Sequence, residues 1–341
     1  MIQSLLLPLI LCAPQIDEAQ PAAARPPTRL DLRVDPLVDL YQQVRAWAAS
    51  REPEGIPPAV LASPDFKEAV EAARAVSAQL GRSPLAFGVL DRQLEGLESF
   101  EDLIGDFEAL DGPVRVLGGA EVDIREEAVR FARALAAAEE AFLTDFWPEH
   151  EALIEAARSE LEQTLVPKQA ECLEFMLASL GLEDPGDVVP VYLVRSAAAP
   201  GAYTYRRQDG GGLCFVSVDP GGGLLSETIL HEATHAIDLL SRDGGVLNTL
   251  RARLLEAVPD RRDPIHRDLP HLLMFIQAGE TVRRLIDPEH VHYGEARQLY
   301  SRQAHLSDVA LPVWKEHLDG RLTREEALDR LLERTVTKPA H

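Results

Sequence analysis

A chain of 341 residues, 46% hydrophobic and 26% charged, can bury a sizeable core and is expected to fold over most of its length. Its formal net charge of −22 excludes nucleic acid as a partner, because phosphates require a basic surface, and argues against an anionic membrane surface. Three cysteines, Cys12, Cys172 and Cys214, are too few for a disulfide framework.

The stretch from Met1 to Ala13 is apolar but too short to cross a bilayer as a helix. It fits the apolar region of a secretory signal peptide, without the usual Lys or Arg in front. Cys12 also invites a lipid anchor, although Leu11 is bulky where a small residue is wanted. We expect a signal peptide over 1–16 and an Ala- and Pro-rich linker over 17–33. The mature chain is then exported, periplasmic or extracellular, with no membrane span.

Residues 34–183 carry apolar positions at helical spacing, clearest over 64–80, 123–145 and 148–182. The last stretch breaks near Val166-Pro167 and ends at Gly181. Val114 to Leu117, before Gly118-Gly119, reads as a lone strand. The pattern changes at Asp184-Pro185-Gly186. Val188 to Val194 is β-rich, and Ala202 to Arg206 with Leu213 to Val218 predicts a hairpin across a Gly-rich turn. A helix is predicted from Ser226, after the breaker run Asp219 to Gly223, until Ser241 to Gly245 stops it. Another begins near Pro270, placed at the first helical position, and runs to Leu285. The fold class is therefore α+β, mostly α. A helical N-terminal part (34–183) precedes a core over 184–294, where a small sheet packs on the helix from Ser226, and 295–341 forms a C-terminal helical part.

That helix contains His231-Glu232-Ala233-Thr234-His235. Histidines four apart on a helix lie about 40° apart in projection and about 6 Å along the axis, so both imidazoles reach one ion from one face. Glu232 is then placed beside a water on that ion. This is the H-E-x-x-H pattern of zinc metallopeptidases, with two His ligands and the Glu as general base. Catalytic zinc takes a third protein ligand, and two candidates lie on the following helix: His271 and Glu280, the latter after the small pair Ala278-Gly279. They are nine positions apart, about 180° around a helix, so one ion does not bind both. Asp238, a turn beyond His235, is a candidate partner for a ligand histidine. Tyr293 is a candidate oxyanion donor, with His290, His292, Tyr203 and Tyr205 as alternatives.

The segments Ser226 to His235 and His271 to Arg284 resemble a family of uncharacterised, exported bacterial zincin-like proteins. Asp35 to Leu40, Trp314 to Gly320 and Glu326 to Leu328 are similar to it as well. The resemblance implies export, a zincin fold and His271 as third ligand. Where the family has a Phe-Tyr-Thr stretch after that histidine, this chain has Phe275-Ile276-Gln277, without the tyrosine. The function expected is a zinc metallopeptidase, one Zn²⁺ per chain, acting on a peptide or protein substrate. A zincin-fold binding or scaffold protein of the cell envelope, with weak or no turnover, is the alternative.

Overall fold

β4 (Val188–Val194) carries Val189, Val191 and Leu193 on one face and Tyr192 and Val194 on the other, and both sets are buried. β6 (Gly212–Ser217) repeats this with Cys214 and Val216 against Leu213 and Phe215. Strands buried on both faces read as continuous apolar runs and need helical layers on each side. The computed structural model, which describes residues 26–50, 56–80, 87–115, 121–197, 201–207, 210–240 and 246–336, supplies both layers. The expected signal peptide, Cys12, most of the linker, Gly118-Gly119 and the stop at Ser241 to Gly245 lie outside the described residues.

The sheet has four strands in the order β1 (Arg29–Arg33), β4, β6, β5 (Ala202–Arg206). β1 and β6 run parallel to β4, and β5 closes the edge antiparallel to β6. β1 corrects the expectation of a linker as far as residue 33. Leu30 is buried, and the strand pairs from Arg29 with Val188 to Arg33 with Tyr192.

One layer is built from α1 (Pro36–Ala49), α2 (Pro58–Ala62), α3 (Pro64–Leu80), α4 (Gly88–Asp91), α5 (Phe100–Glu108) and α6 (Arg125–Asp145). Between α5 and α6 lies a short ribbon, β2 (Val114–Arg115) with β3 (Glu121–Val122). The core here includes Phe66, Phe100, Phe107 and Phe131 and meets the sheet at Tyr192, Tyr203 and Phe215. A buried ion pair, Arg45 to Asp91 at 2.7 Å, also reaches the Tyr203 hydroxyl and so ties α1 and α4 to β5.

The opposite layer contains α7 (Trp147–Thr164), α8 (Gln169–Leu180), α9 (Gly222–Leu240), α10 (Val246–Ala257) and α11 (Ile265–Leu285). It continues through α12 (Tyr293–Ala296), α13 (Leu299–Arg302), α14 (Ala304–Leu318) and α15 (Arg324–Val336). The helical stretch before residue 183 is thus divided: α1 to α6 cover one face, while α7 and α8 join the C-terminal helices on the other. Val166-Pro167 breaks the run as expected, and Gly181 ends α8 with φ of 59°.

α9 lies directly on the sheet. A Cβ at Gly212 would come within 2.2 Å of the Ala236 Cβ, so only glycine permits this approach. Leu225, Ile229, Leu230, Ala233, Ala236 and Ile237 are buried around the helix, each large apolar side chain contributing about 1.5–3 kcal/mol. Two helix starts differ from expectation. α9 begins at Gly222, four residues before Ser226, and Thr228 turns its hydroxyl inward to the Leu224 carbonyl rather than serving a cap. α11 begins at Ile265, whose N–H is capped by Asp263 at 3.0 Å, so Pro270 lies inside the helix and forfeits one backbone bond. Among the described residues, no helix is long and apolar enough to cross a membrane.

Candidate metal centre

His231 and His235 lie on α9, and His271 comes to meet them from α11, where the helix packs across α9. The His231 Nε2 is 3.2 Å from His235 Nε2 and 3.1 Å from His271 Nε2. Among the described residues this is the one cluster of potential ligand atoms, all within 4.8 Å of one another. Ligands at zinc–nitrogen distances of about 2.0–2.1 Å around a tetrahedral ion stand about 3.3 Å apart. The two edges that meet at His231 are close to that spacing, and the three atoms lie near enough together that the cluster could hold one ion. Three imidazole nitrogens are also the donor set of a catalytic site with one position left open.

The electrostatics favour neutral rings, which a metal requires. His231 is pushed well below its usual value by burial and by the two neighbouring histidines. His235 falls to about 3 through burial, His271 and Arg251. His271 is lowered too, by the protein around its ring and by Arg267, against the opposing charge of Asp268. Accessibility is graded: His231 is buried, His235 half-buried and His271 exposed, so the cluster opens to solvent on the α11 side. His231 Nδ1 is buried and has no hydrogen-bond partner among the described residues, while Nε2 faces the other two rings.

Glu232 is buried between α9 and the edge strand, and burial lifts its carboxyl to about 7. Its Oε2 accepts from the Thr204 hydroxyl at 2.7 Å, which opposes that rise. Thr204 also touches the Cys214 sulfur at 3.3 Å, and the Cys214 thiol is pushed up by burial and by Glu232. A carboxyl near 7, next in sequence to His231, is matched to taking and returning protons at neutral pH.

The other candidates separate. Glu280 stands apart from the cluster: Arg283 and Arg284 reach it from its own helix, and His292 and Lys315 approach from outside. Although buried, it is held well below the usual carboxylate range by His292 and Arg283. A site with four cationic or basic neighbours has no need of a metal. The small residue before it makes room for His292, since a Cβ at Gly279 would meet that ring at 2.7 Å. Asp238 binds Arg251 at 2.8 Å instead of a ligand histidine. His290 is taken by Glu227 at 2.6 Å. Tyr203 and Tyr205 face the N-terminal helices, Tyr203 bonded to Gln42 and Tyr205 pressed against Gly88.

Tyr293 stands in the site wall. Phe275 stacks on His231 with centroids 3.8 Å apart, and Tyr293 stacks on Phe275 at 5.7 Å. The Tyr293 backbone N–H donates to Glu227, buried one turn before His231, and this fixes the loop to the motif helix. Phe275, Thr204, Glu227 and Arg251 were missed from sequence. Phe275 was within reach, because it follows His271 by four and must share its helix face. No family model, curated protein or solved structure matches the chain.

Proposed function

We propose that the chain is a zinc-dependent peptidase with one Zn²⁺ held by His231, His235 and His271. The observation that carries this reading is the convergence of three imidazole nitrogens, two of their three edges near tetrahedral spacing, with the buried carboxyl of Glu232 next in sequence to His231. Bound zinc supplies Lewis acidity, toward water and toward the scissile carbonyl. Glu232 accepts the proton of the attacking water at its carboxylate and passes it to the leaving amine. Thr204 fixes the position of that carboxylate from the edge strand. Among the described residues β5 is the last strand of the sheet, and an extended peptide would be held along it by backbone hydrogen bonds. Tyr293 serves as the donor to the oxyanion. A pure scaffold has no use for Glu232, which favours turnover over the binding-protein alternative. The resemblance to exported zincin-like proteins supports the same reading and adds export after removal of residues 1–16.

The test is chelator-sensitive cleavage. The purified protein is expected to carry one zinc and to cleave casein, to lose cleavage on chelation and to regain it with one equivalent of zinc. Undiminished cleavage by the chelated protein or by His231→Ala would overturn the proposal.

A further inference from the structure

We infer that Arg251 forms a carboxylate-binding subsite beside the metal centre, and that the substrates are peptides presenting a carboxylate next to the scissile bond. The inference rests on the peptidase reading above and names the substrate class of that site.

Arg251 lies on α10 and is anchored to the motif helix. Its Nη1 donates to Asp238 Oδ2 at 2.8 Å and to Asn248 Oδ1 at 3.0 Å. Asp238 follows His235 by three residues, so the carboxylate that anchors the guanidinium stands about one helical turn along from that histidine.

Both bonds land on one nitrogen. Among the described residues the Nε–Nη2 edge of Arg251 has no protein partner, and the side chain is 41% exposed. That edge is a planar two-donor fork, whose geometry matches the two oxygens of a carboxylate. Asp238 is much less exposed, at 11%, and acts as the fixed support. The arrangement is a largely covered acid on the motif helix holding a half-open cation on α10, with a hydrogen-bonding edge left over.

The chain's negative charge does not argue against an anionic substrate. Charges beyond about 8–10 Å are screened in physiological salt, so the local arginine decides. A carboxylate near the scissile bond has two sources, the free C-terminus of the substrate or an acidic side chain. The chemistry at Arg251 is the same for both.

The test uses the full-length, zinc-loaded protein and simple probes: mercapto-carboxylates of two to four methylenes and their primary amides. The thiol end is common to acid and amide, so their affinity ratio isolates the carboxylate. Calorimetric titration of the parent is expected to favour the best acid over its amide by about ten- to a hundredfold. The ratio should fall to about one in Arg251→Gln, with zinc content unchanged, and to an intermediate value in Arg251→Lys, which keeps charge without the fork. Arg251→Lys carries the test if the Gln variant does not fold. An acid-to-amide ratio that is the same in parent and variants overturns the subsite while leaving the zinc reading standing. A parent that takes up no zinc sinks both. Mapping casein products then assigns the source. Release of single C-terminal residues points to the chain terminus, and internal cuts beside Asp or Glu point to side chains. Cuts with neither property overturn the assignment.

Discussion

Replacing Glu232 with Gln in the zinc-free protein changes one titrating group and nothing else in the charge pattern. Glu232 is 5% exposed, and burial raises its carboxyl from 4.5 to about 7. Below pH 4.5 the folded and unfolded chains both hold its proton, and the group is neutral in either state. Between 4.5 and 7 the folded chain keeps a proton that the unfolded chain has released, so stability declines as pH rises through this window. Above 7 the folded chain must carry a buried charge, and the accumulated loss is about 3 kcal/mol. Gln cannot ionise, so the variant escapes this loss. Urea denaturation of both proteins without metal, from pH 5 to pH 8, is the assay. The histidines titrate alike in both and cancel in the difference. The variant is expected to gain roughly 2–3 kcal/mol on the parent across that range. A difference that stays flat with pH would refute the claim that burial sets this carboxyl.

Thr204→Val removes a bond that lowers the Glu232 value, so the acidic limb of the kcat/KM profile should move to higher pH, with activity at pH 7 down about tenfold and zinc content unchanged. His271→Ala should weaken zinc binding at least about a hundredfold in a chelator competition, whereas Glu280→Ala should keep the zinc and lose stability instead, because Arg283 loses its acceptor and Arg284 and His292 lose a neighbouring negative charge. Asp91→Ala leaves Arg45 buried without its counter-charge and should cost about 3–5 kcal/mol in urea denaturation, and because the pair lies on the face of the sheet opposite the three histidines, zinc content should not change.

What the sequence disclosed was local. The helix over 64–80 and the strand over 188–194 have the bounds that period and flanking breakers suggested, because both signals lie within the segment itself. His231, Glu232 and His235 were legible for the same reason. β1 was not: Arg29 to Arg33 pairs with a strand 159 positions away, and no neighbouring pattern announces a parallel partner. The start of α11 was misplaced because Pro270 suits a first turn, whereas Asp263 supplies the cap earlier. Tyr203 and Tyr205 were attractive as donors by residue type. Strand parity sends them away from α9, and Thr204 between them faces Glu232. Choosing between His271 and Glu280 required knowing which face of α11 meets α9. Spacing showed only that the two residues take opposite faces. Arg251 reaches the motif helix through Asp238, a contact between helices that sequence order does not encode.

The most direct measurement is a crystal structure of the protein grown with zinc, with diffraction recorded on both sides of the zinc absorption edge. The account predicts one anomalous peak per chain, about 2.0–2.1 Å from the Nε2 atoms of His231, His235 and His271, with a fourth position open toward Glu232. A peak at Glu280 and His292, or full zinc content with no peak at the three histidines, would contradict it.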